Sequence, residues 1–318
     1  MDGGAGQPGL VELVRELSLA LRESVMPMLG SHAGRAHEGA AEAAGGDVTF
    51  AIDVEAERTL EEFLAERAPD VAFYSEDRGL VAPADGRAST VLVVDPIDGT
   101  RPAMAGLESC CVSVAAAPLR DGVRMGDVTV GCVVEIPSGT VFLAERGRGV
   151  VEGPPVVLSA NDRLDRLFWT YGFRGRPARA LTEVLAELID GSSVGGGTFD
   201  LGSAAFDITR VVTGQLDAYV EPGPLLVEDV PGMRAEFERV GGGAVLNNSP
   251  YDLAAAVLCA EEAGAVVTDA RGESLAGRPL LGSGADFQMS IVASANPALH
   301  RLILDSVAAG MERLKGLR

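Results

Sequence analysis

The stretch Val91-Leu92-Val93-Val94-Asp95-Pro96-Ile97-Asp98-Gly99-Thr100 decides how the rest of the chain is read. Its four aliphatic residues make the apolar run of a buried strand, which Pro96 and Gly99 are expected to end. Two carboxylates follow, separated by Pro and Ile. If the chain stayed extended through Pro96, then Asp95, Ile97 and Thr100 could not all point alike. A turn beginning at Pro96 instead gathers the Asp95 carboxylate, the Ile97 carbonyl and the Asp98 carboxylate around one point. Hard oxygen donors converging in this way suit Mg²⁺, which is usually bound together with a phosphate. Gly99 and Thr100 add backbone N–H groups where a helix can begin, a natural phosphate seat. The competing reading is a strand followed by a simple Asx turn, and this stretch alone leaves both open.

Composition narrows the class. At 318 residues the chain exceeds the usual single-domain size, so one large domain or two intimately packed ones are expected. Apolar residues make up 47% and aromatic ones only 5%, so Val, Leu, Ala and Ile must fill the core. The formal charge is -20, and Lys315 is the only lysine. A chain this acidic is repelled by nucleic-acid backbones and anionic membranes, although a bound metal can reverse the field locally for an anionic substrate. Cys110, Cys111, Cys132 and Cys259 lack CxxC spacing and have apolar neighbours, so buried free thiols are expected. With His32, His37 and His300 as the only histidines, a histidine-rich zinc site is disfavoured. The lack of a signal-peptide pattern and of any long uncharged apolar run predicts a cytoplasmic protein without a membrane partner.

Working outward from the opening stretch, the apolar spacing predicts an amphipathic helix over 10–29, stopped by Gly30, and a second over 53–67. Residues 31–46 read as loop. Strands are expected at 71–74, 109–118, 127–136 and 140–145, with a further short one at 156–159. The first half thus reads as helices plus a hairpin-connected sheet. The second half alternates helix and strand: strands at 167–171, 218–220, 266–268 and 289–293, and helices at 179–190, 202–213, 253–263 and 297–314. Such alternation is an α/β pattern. The boundary falls near 150–170, giving halves 1–160 and 161–318.

Carboxylates at strand ends or helix starts are Asp53, Glu76, Asp95, Asp98, Asp207, Glu221 and Asp252. Asp252 follows the turn signal Asn247-Asn248-Ser249-Pro250-Tyr251 and precedes an apolar helix, so it reads either as a helix cap or as a ligand held on the helix end. No phosphate-binding loop, dinucleotide fingerprint or Gly-x-Ser-x-Gly elbow is present. A carboxylate cluster beside Thr100 remains, and it suggests metal-assisted hydrolysis of a phosphate ester.

Several separated pieces together resemble the inositol monophosphatase-like family of Mg²⁺-dependent, lithium-sensitive phosphatases. Asp47-Val48-Thr49-Phe50-Ala51-Ile52-Asp53 with Glu57, Ser75-Glu76-Asp77, and Asp95-Pro96-Ile97-Asp98-Gly99-Thr100 match its early and central motifs. Asn248 to Ala256, Glu261 to Asp269, and Gly202-Ser203-Ala204-Ala205 through Glu221 match its later ones. The resemblance implies a layered sugar-phosphatase fold with alternating α-β-α-β-α layers, combining α/β and α+β halves. It implies two or three Mg²⁺ ions, inhibition by Li⁺, and a homodimer. Glu76, Asp95, the Ile97 carbonyl, Asp98 and Asp252 would hold metal, with Asp95 bridging. Asp53, Thr100 and Glu76 would be catalytic, Asp53 and Thr100 deprotonating the metal-activated water that attacks phosphorus in line. Gly99 and Thr100 would seat the phosphate. Gly202, Ser203, Ala204 and Glu221 would face the substrate.

Departures from the family pattern bear on substrate. Ser75 and Asp77 stand where Gly and Glu are usual, Tyr251 where Trp is usual, and Arg101-Pro102-Ala103 where Thr-Asn-Phe is usual. The segment 222–247 lengthens the path from Glu221 to Asp252, and reads as a lid, a specificity element or a subunit contact, with a short helix at 233–240. Inositol or sugar phosphate is the first-choice substrate. A bisphosphate such as fructose 1,6-bisphosphate, a 3′-phosphonucleotide, or a dedicated biosynthetic intermediate is the alternative. A non-catalytic scaffold that retained the fold is the competing class, and loss of a metal-site carboxylate would have favoured it.

Overall fold

The structure, a computed structural model, describes residues 9–31, 37–42, 48–83 and 86–317. Helix α1 (Leu10–Val25) buries Leu13, Val14, Leu17, Leu21 and Val25, which recur at helical spacing. A 3-10 turn, Met26–Met28, leads it to Gly30. Strands β1 (His37–Glu42) and β2 (Val48–Phe50) pair antiparallel, which corrects the loop expected over 31–46. Pairing with a partner strand, absent from any local periodicity, makes β1. Residues 32–36 and 43–47, Asp47 included, lie outside the described residues. The chain continues through α2 (Ala51–Arg67), β3 (Ala72–Ser75), β4 (Gly79–Val81), β5 (Thr90–Asp98), a short α3 (Thr100–Ala105), β6 (Cys111–Pro118), β7 (Val130–Glu135), β8 (Val141–Glu145) and β9 (Gly149–Glu152).

Strands β3 to β9 form one sheet in the order β4-β3-β5-β6-β7-β8-β9, antiparallel except for the β3–β5 pair. The last of these strands lies at 149–152, and the strand expected at 156–159 does not form; Val156 and Val157 are exposed. A turn ending at Gly149 lets the chain hairpin back on β8, pairing Gly149 with Glu145 before 156 is reached.

The second half runs β10 (Phe168–Tyr171), α4 (Ala178–Ser192), β11 (Gly197–Phe199), α5 (Ala204–Val212), β12 (Ala218–Glu221), α6 (Gly223–Asp229), α7 (Met233–Val240), α8 (Pro250–Glu262), β13 (Val266–Thr268), β14 (Ile291–Ser294) and α9 (Pro297–Gly316). Its strands make a mixed sheet in the order β11-β10-β12-β14-β13.

Strand alternation sorts the side chains into layers. Leu92 and Val94 of β5 join α1 and α2 in one core, whereas Val91 and Val93 face α5 and α8 in another. On the second sheet Tyr219, Ile291 and Ala293 face that same middle layer, while Ala218, Val220 and Val292 face α4 and α9. The result is helices α1/α2, the first sheet, helices α5/α8, the second sheet, and helices α4/α9: an α-β-α-β-α stack. Helices α5 and α8 from the second half therefore pack on the sheet of the first. Small residues make this close contact feasible: a Cβ at Gly131 of β7 would sit 2.7 Å from the Ala255 carbonyl of α8. The four cysteines are buried free thiols, as composition suggested.

Candidate active site

The opening stretch stays in the sheet longer than expected. Strand β5 continues through Pro96 to Asp98, with a register shift between the Asp95–Ser113 and Asp98–Cys111 pairs. Three residues on β5 oppose two on β6, a bulge, where a proline lacking its N–H is tolerated. In a regular strand residues three apart face opposite sides. The extra residue turns Asp98 to the side of Asp95, so bulge rather than turn gathers the two acids. The Ile97 N–H donates to Asp95 Oδ1 at 3.0 Å, fixing the carboxylate. Gly99 then takes φ of 89°, and a Cβ there would lie 2.7 Å from the Ser109 carbonyl and 2.9 Å from Ser203 Cβ. Glycine is required on both counts.

Helix α8 supplies the third acid. Ser249 caps it, Ser249 N–H donates to Asp252 Oδ2 at 2.5 Å, and Ser113 Oγ donates to the Tyr251 carbonyl at 3.3 Å, seating the helix start on β6. The helix starts earlier than expected, so Asp252 is not its N-cap but the third residue in, reaching back to the Ser249 N–H, and it also approaches the β5 acids. One oxygen each from Asp95, Asp98 and Asp252 lies within 4.8 Å of the others. Asp98 is held from its far side by α5, whose Ser203 Oγ and Ala205 N–H donate to Asp98 Oδ2 at 2.8 and 2.6 Å.

Such crowding has an electrostatic consequence. Burial pushes the Asp98 carboxyl up to about 6 and the Asp252 carboxyl up to about 7. Burial first, then the charges of Asp98, Asp252 and Glu76, drive Asp95 well above the usual carboxylate range. Among the described residues no arginine or lysine is ion-paired with any of the three. Arg174, which lines the same cavity, offsets the charge of Asp98 and Asp252 only in part, because burial still raises both. Buried, mutually repelling oxygens with so little countercharge fit a divalent cation, and all-oxygen donors fit Mg²⁺.

The cluster opens into a cavity of about 420 Å³ lined also by Glu76, Gly99, Thr100, Gly202, Ser203 and Ala204. Glu76 contributes its charge to Asp95 but stands outside the three-acid group. Asp53, near the start of α2, sits behind the cavity wall: its Oδ2 accepts from Phe50 N–H at 2.8 Å, and its Oδ1 accepts from Thr100 Oγ1 at 3.4 Å. Arg101 lines the cavity with its guanidinium over the Phe50 ring at 5.7 Å. Tyr251 is buried and stacked on Tyr74 at 6.5 Å, filling the place of a large aromatic.

Glu221 departs from its expected place. It is fully buried, ion-paired to Arg176 at 2.5 Å, and accepts from Gly223 N–H at 2.7 Å, so both oxygens are engaged and it does not line the cavity. The cavity end it was expected to serve is lined by Arg174, Arg176, Asp200, Asp207 and Asn247, and only Asp207 was among the candidates read from sequence. The run Phe173-Arg174-Gly175-Arg176-Pro177 directly beyond strand β10 was the signal that could have pointed there.

The sequence profile described as the inositol monophosphatase family matches residues 10–312. The chain belongs to this family. It is 30% identical over 286 residues to the inositol-1-monophosphatase of Mycobacterium leprae, covering 85% of this chain and 80% of that protein. It is 28% identical over 273 residues to a fructose-1,6-bisphosphatase/inositol-1-monophosphatase of Methanothermobacter thermautotrophicus, covering 83% and 85%. The crystal structure of extragenic suppressor protein suhB from Bartonella henselae superposes with a TM-score of 0.69 at 22% identity, over 94% of this chain and 98% of that one, and shows the shared fold. Membership and the three-acid cluster support a Mg²⁺-dependent phosphomonoesterase activity of this superfamily. No helix among the described residues is long and apolar enough to cross a membrane.

Proposed function

We propose that the protein hydrolyses a small hydroxylated phosphate monoester, inositol or sugar phosphate first, by in-line attack of water. The observation that carries this reading is the buried group of Asp95, Asp98 and Asp252 oxygens within 4.8 Å of one another, opening beside Thr100. When bound there, Mg²⁺ acidifies water and offsets charge on the phosphoryl oxygens. Asp95, Asp98 and Asp252 would hold it, with Glu76 and the Ile97 carbonyl completing the oxygen set.

The remaining work falls to side chains. Thr100 Oγ1 has two acceptors within reach of its one proton, Asp53 Oδ1 at 3.4 Å and the Ile97 carbonyl at 3.2 Å; with that proton given to Asp53, its lone pairs are left to accept from the attacking water. A proton given up by water passes to Thr100 oxygen as Thr100 passes its own to Asp53. Amides in the first turn of a helix lack intrahelical partners, so Gly99 and Thr100 N–H groups are placed to receive phosphate oxygens. Gly202, Ser203 and Ala204 line the same cavity and would face the departing alcohol.

Phosphate release from a panel of inositol, sugar, nucleotide and amino-alcohol phosphates tests the reading, with Mg²⁺, with EDTA and with Li⁺. Turnover that needs Mg²⁺, stops in EDTA and falls in Li⁺ is expected. Hydrolysis indifferent to EDTA, or none across the panel, would overturn it. The reading includes a homodimer, for which light scattering should give about twice the chain mass of 32.8 kDa.

A further inference from the structure

Arg101 stands where the family pattern has a threonine, directly after Thr100 and before Pro102. Pro102 lies in the first turn of α3, where a residue with a fixed φ and no N–H is tolerated and stiffens the backbone that carries Arg101. The Arg101 guanidinium lies over the Phe50 ring, 5.7 Å from its centroid. That ring is itself held: Phe50 is buried and belongs to the same apolar core as Ile97, Ala103 and Met104.

Phe50 also precedes α2 as its N-cap residue. A phenylalanine has no side-chain oxygen with which to cap a helix, so Asp53 reaches back and its Oδ2 accepts from the Phe50 N–H at 2.8 Å. Asp53 Oδ1 is left to face Thr100. The contacts close on themselves: Arg101 stacks on Phe50, Phe50 anchors Asp53, Asp53 meets Thr100, and Thr100 is bonded to Arg101.

The loosest link is the one the reaction needs. Thr100 Oγ1 and Asp53 Oδ1 lie 3.4 Å apart, long for an O–H···O bond, whose usual length is about 2.8 Å. The Ile97 carbonyl competes for the same proton from 3.2 Å. Catalytic hydrogen bonds are often this long before substrate arrives and tighten afterwards, provided the groups stay within reach. Stacking of Arg101 on Phe50 supplies that restraint, because it ties the first turn of α3 to the residue whose N–H anchors Asp53. A planar, weakly hydrated guanidinium suits the negative face of an aromatic ring.

Resting on the phosphatase reading for the reaction, we propose that Arg101 is a positioning residue, which by stacking on Phe50 holds Thr100 against Asp53 so that the proton relay between them is assembled. Arg101 also lines the cavity, so direct contact with the substrate phosphate is the competing role, and it carries a different kinetic signature.

The test uses the full chain with Mg²⁺ and whichever of myo-inositol 1-phosphate and fructose 1,6-bisphosphate it hydrolyses faster. Arg101→Met removes the charge and keeps the length; kcat should fall about threefold or more, with KM unchanged within about twofold. Replacing Phe50 with a trifluorinated phenylalanine keeps the ring's shape and withdraws charge from its face, and should lower kcat in the same way. In the Arg101→Met background, where no cation is left to feel the ring, the fluorines should change kcat by less than about 1.5-fold. A merely structural role would not follow the charge of the ring. A rise in KM at unchanged kcat would make Arg101 a substrate contact and overturn the proposal. Unchanged kcat in both variants, or a fluorine effect of equal size with and without Arg101, would overturn it too. If Arg101→Met does not fold, the fluorinated ring beside the native Arg101 decides. Amide exchange followed by NMR judges the tether without hydrolysis: Arg101→Met should speed exchange of the Phe50 N–H about threefold or more, and an unchanged rate overturns the proposal. If the wild type hydrolyses neither ester, the phosphatase reading falls, and the exchange measurement still judges whether Arg101 holds this junction.

Discussion

The two ends of the cavity solve the burial of carboxylates in opposite ways. At one end Asp95, Asp98 and Asp252 crowd together, and among the described residues no basic side chain is ion-paired with them. At the other, Glu221 is buried more completely, yet Arg176 meets it at 2.5 Å and Gly223 N–H at 2.7 Å. A paired acid keeps its countercharge within the fold, although burial still raises the Glu221 carboxyl. An uncompensated group stores repulsion that a cation from solution relieves. The contrast separates a cluster suited to a divalent cation from an acid whose countercharge is built into the fold.

The largest effect should come from Asp95→Asn. Turnover is expected to fall by at least about 10²–10³-fold, while the metal-free protein melts no lower than wild type because repulsion is relieved. Phosphate release and thermal melts read the two halves; near-wild-type hydrolysis would break the assignment of this end. The opposite sign is expected across the cavity. Arg176→Met leaves Glu221 buried and alone and should destabilise by about 3–5 kcal/mol in urea unfolding. A loss under about 1 kcal/mol would mean that solvent reaches the pair after all.

The same contrast sets a pH dependence. In the metal-free protein Asp98 titrates near 6 and Asp252 near 7, above the unfolded-chain value of about 4. Between those values the folded state binds more protons than the unfolded one, so stability falls as pH rises from about 4 to about 7. Mg²⁺ should therefore raise the melting temperature more at about pH 7 than at about pH 5. An equal rise at both would count against metal binding by these acids.

Smaller effects sharpen the picture. Ser203→Ala removes both the cap of α5 and the 2.8 Å hydrogen bond to Asp98, and should cost about 1–2 kcal/mol by denaturant melts. Arg58→Ala breaks exposed pairs with Glu55 and Glu62 on α2 and should leave the melting temperature unchanged within error.

Much of the fold was legible because local patterns repeat. Leu13, Val14, Leu17 and Leu21 announce α1, and Val91 to Val94 announce β5, since periodicity records which face is buried. The helix expected at 233–240 forms as α7, Met233–Val240. Elements whose cause lies elsewhere were not legible. β1 exists through its pairing with β2, and β9 through a hairpin on β8. The continuation of β5 through Pro96 depends on the bulge that β6 imposes.

The site divides along the same line. By itself the sequence determined the oxygen chemistry: Asp95, Asp98 and Asp252 occur at a strand end and a helix start, where side chains are held rigidly, and motifs there survive reading in one dimension. Only the tertiary structure decided Glu221's partner and the makeup of the far wall. Arg176 and Glu221 lie 45 residues apart on separate elements, and nothing in either segment's spacing encodes the other. Long-range ion pairs are set by how layers stack, and that stacking is a property of the folded chain.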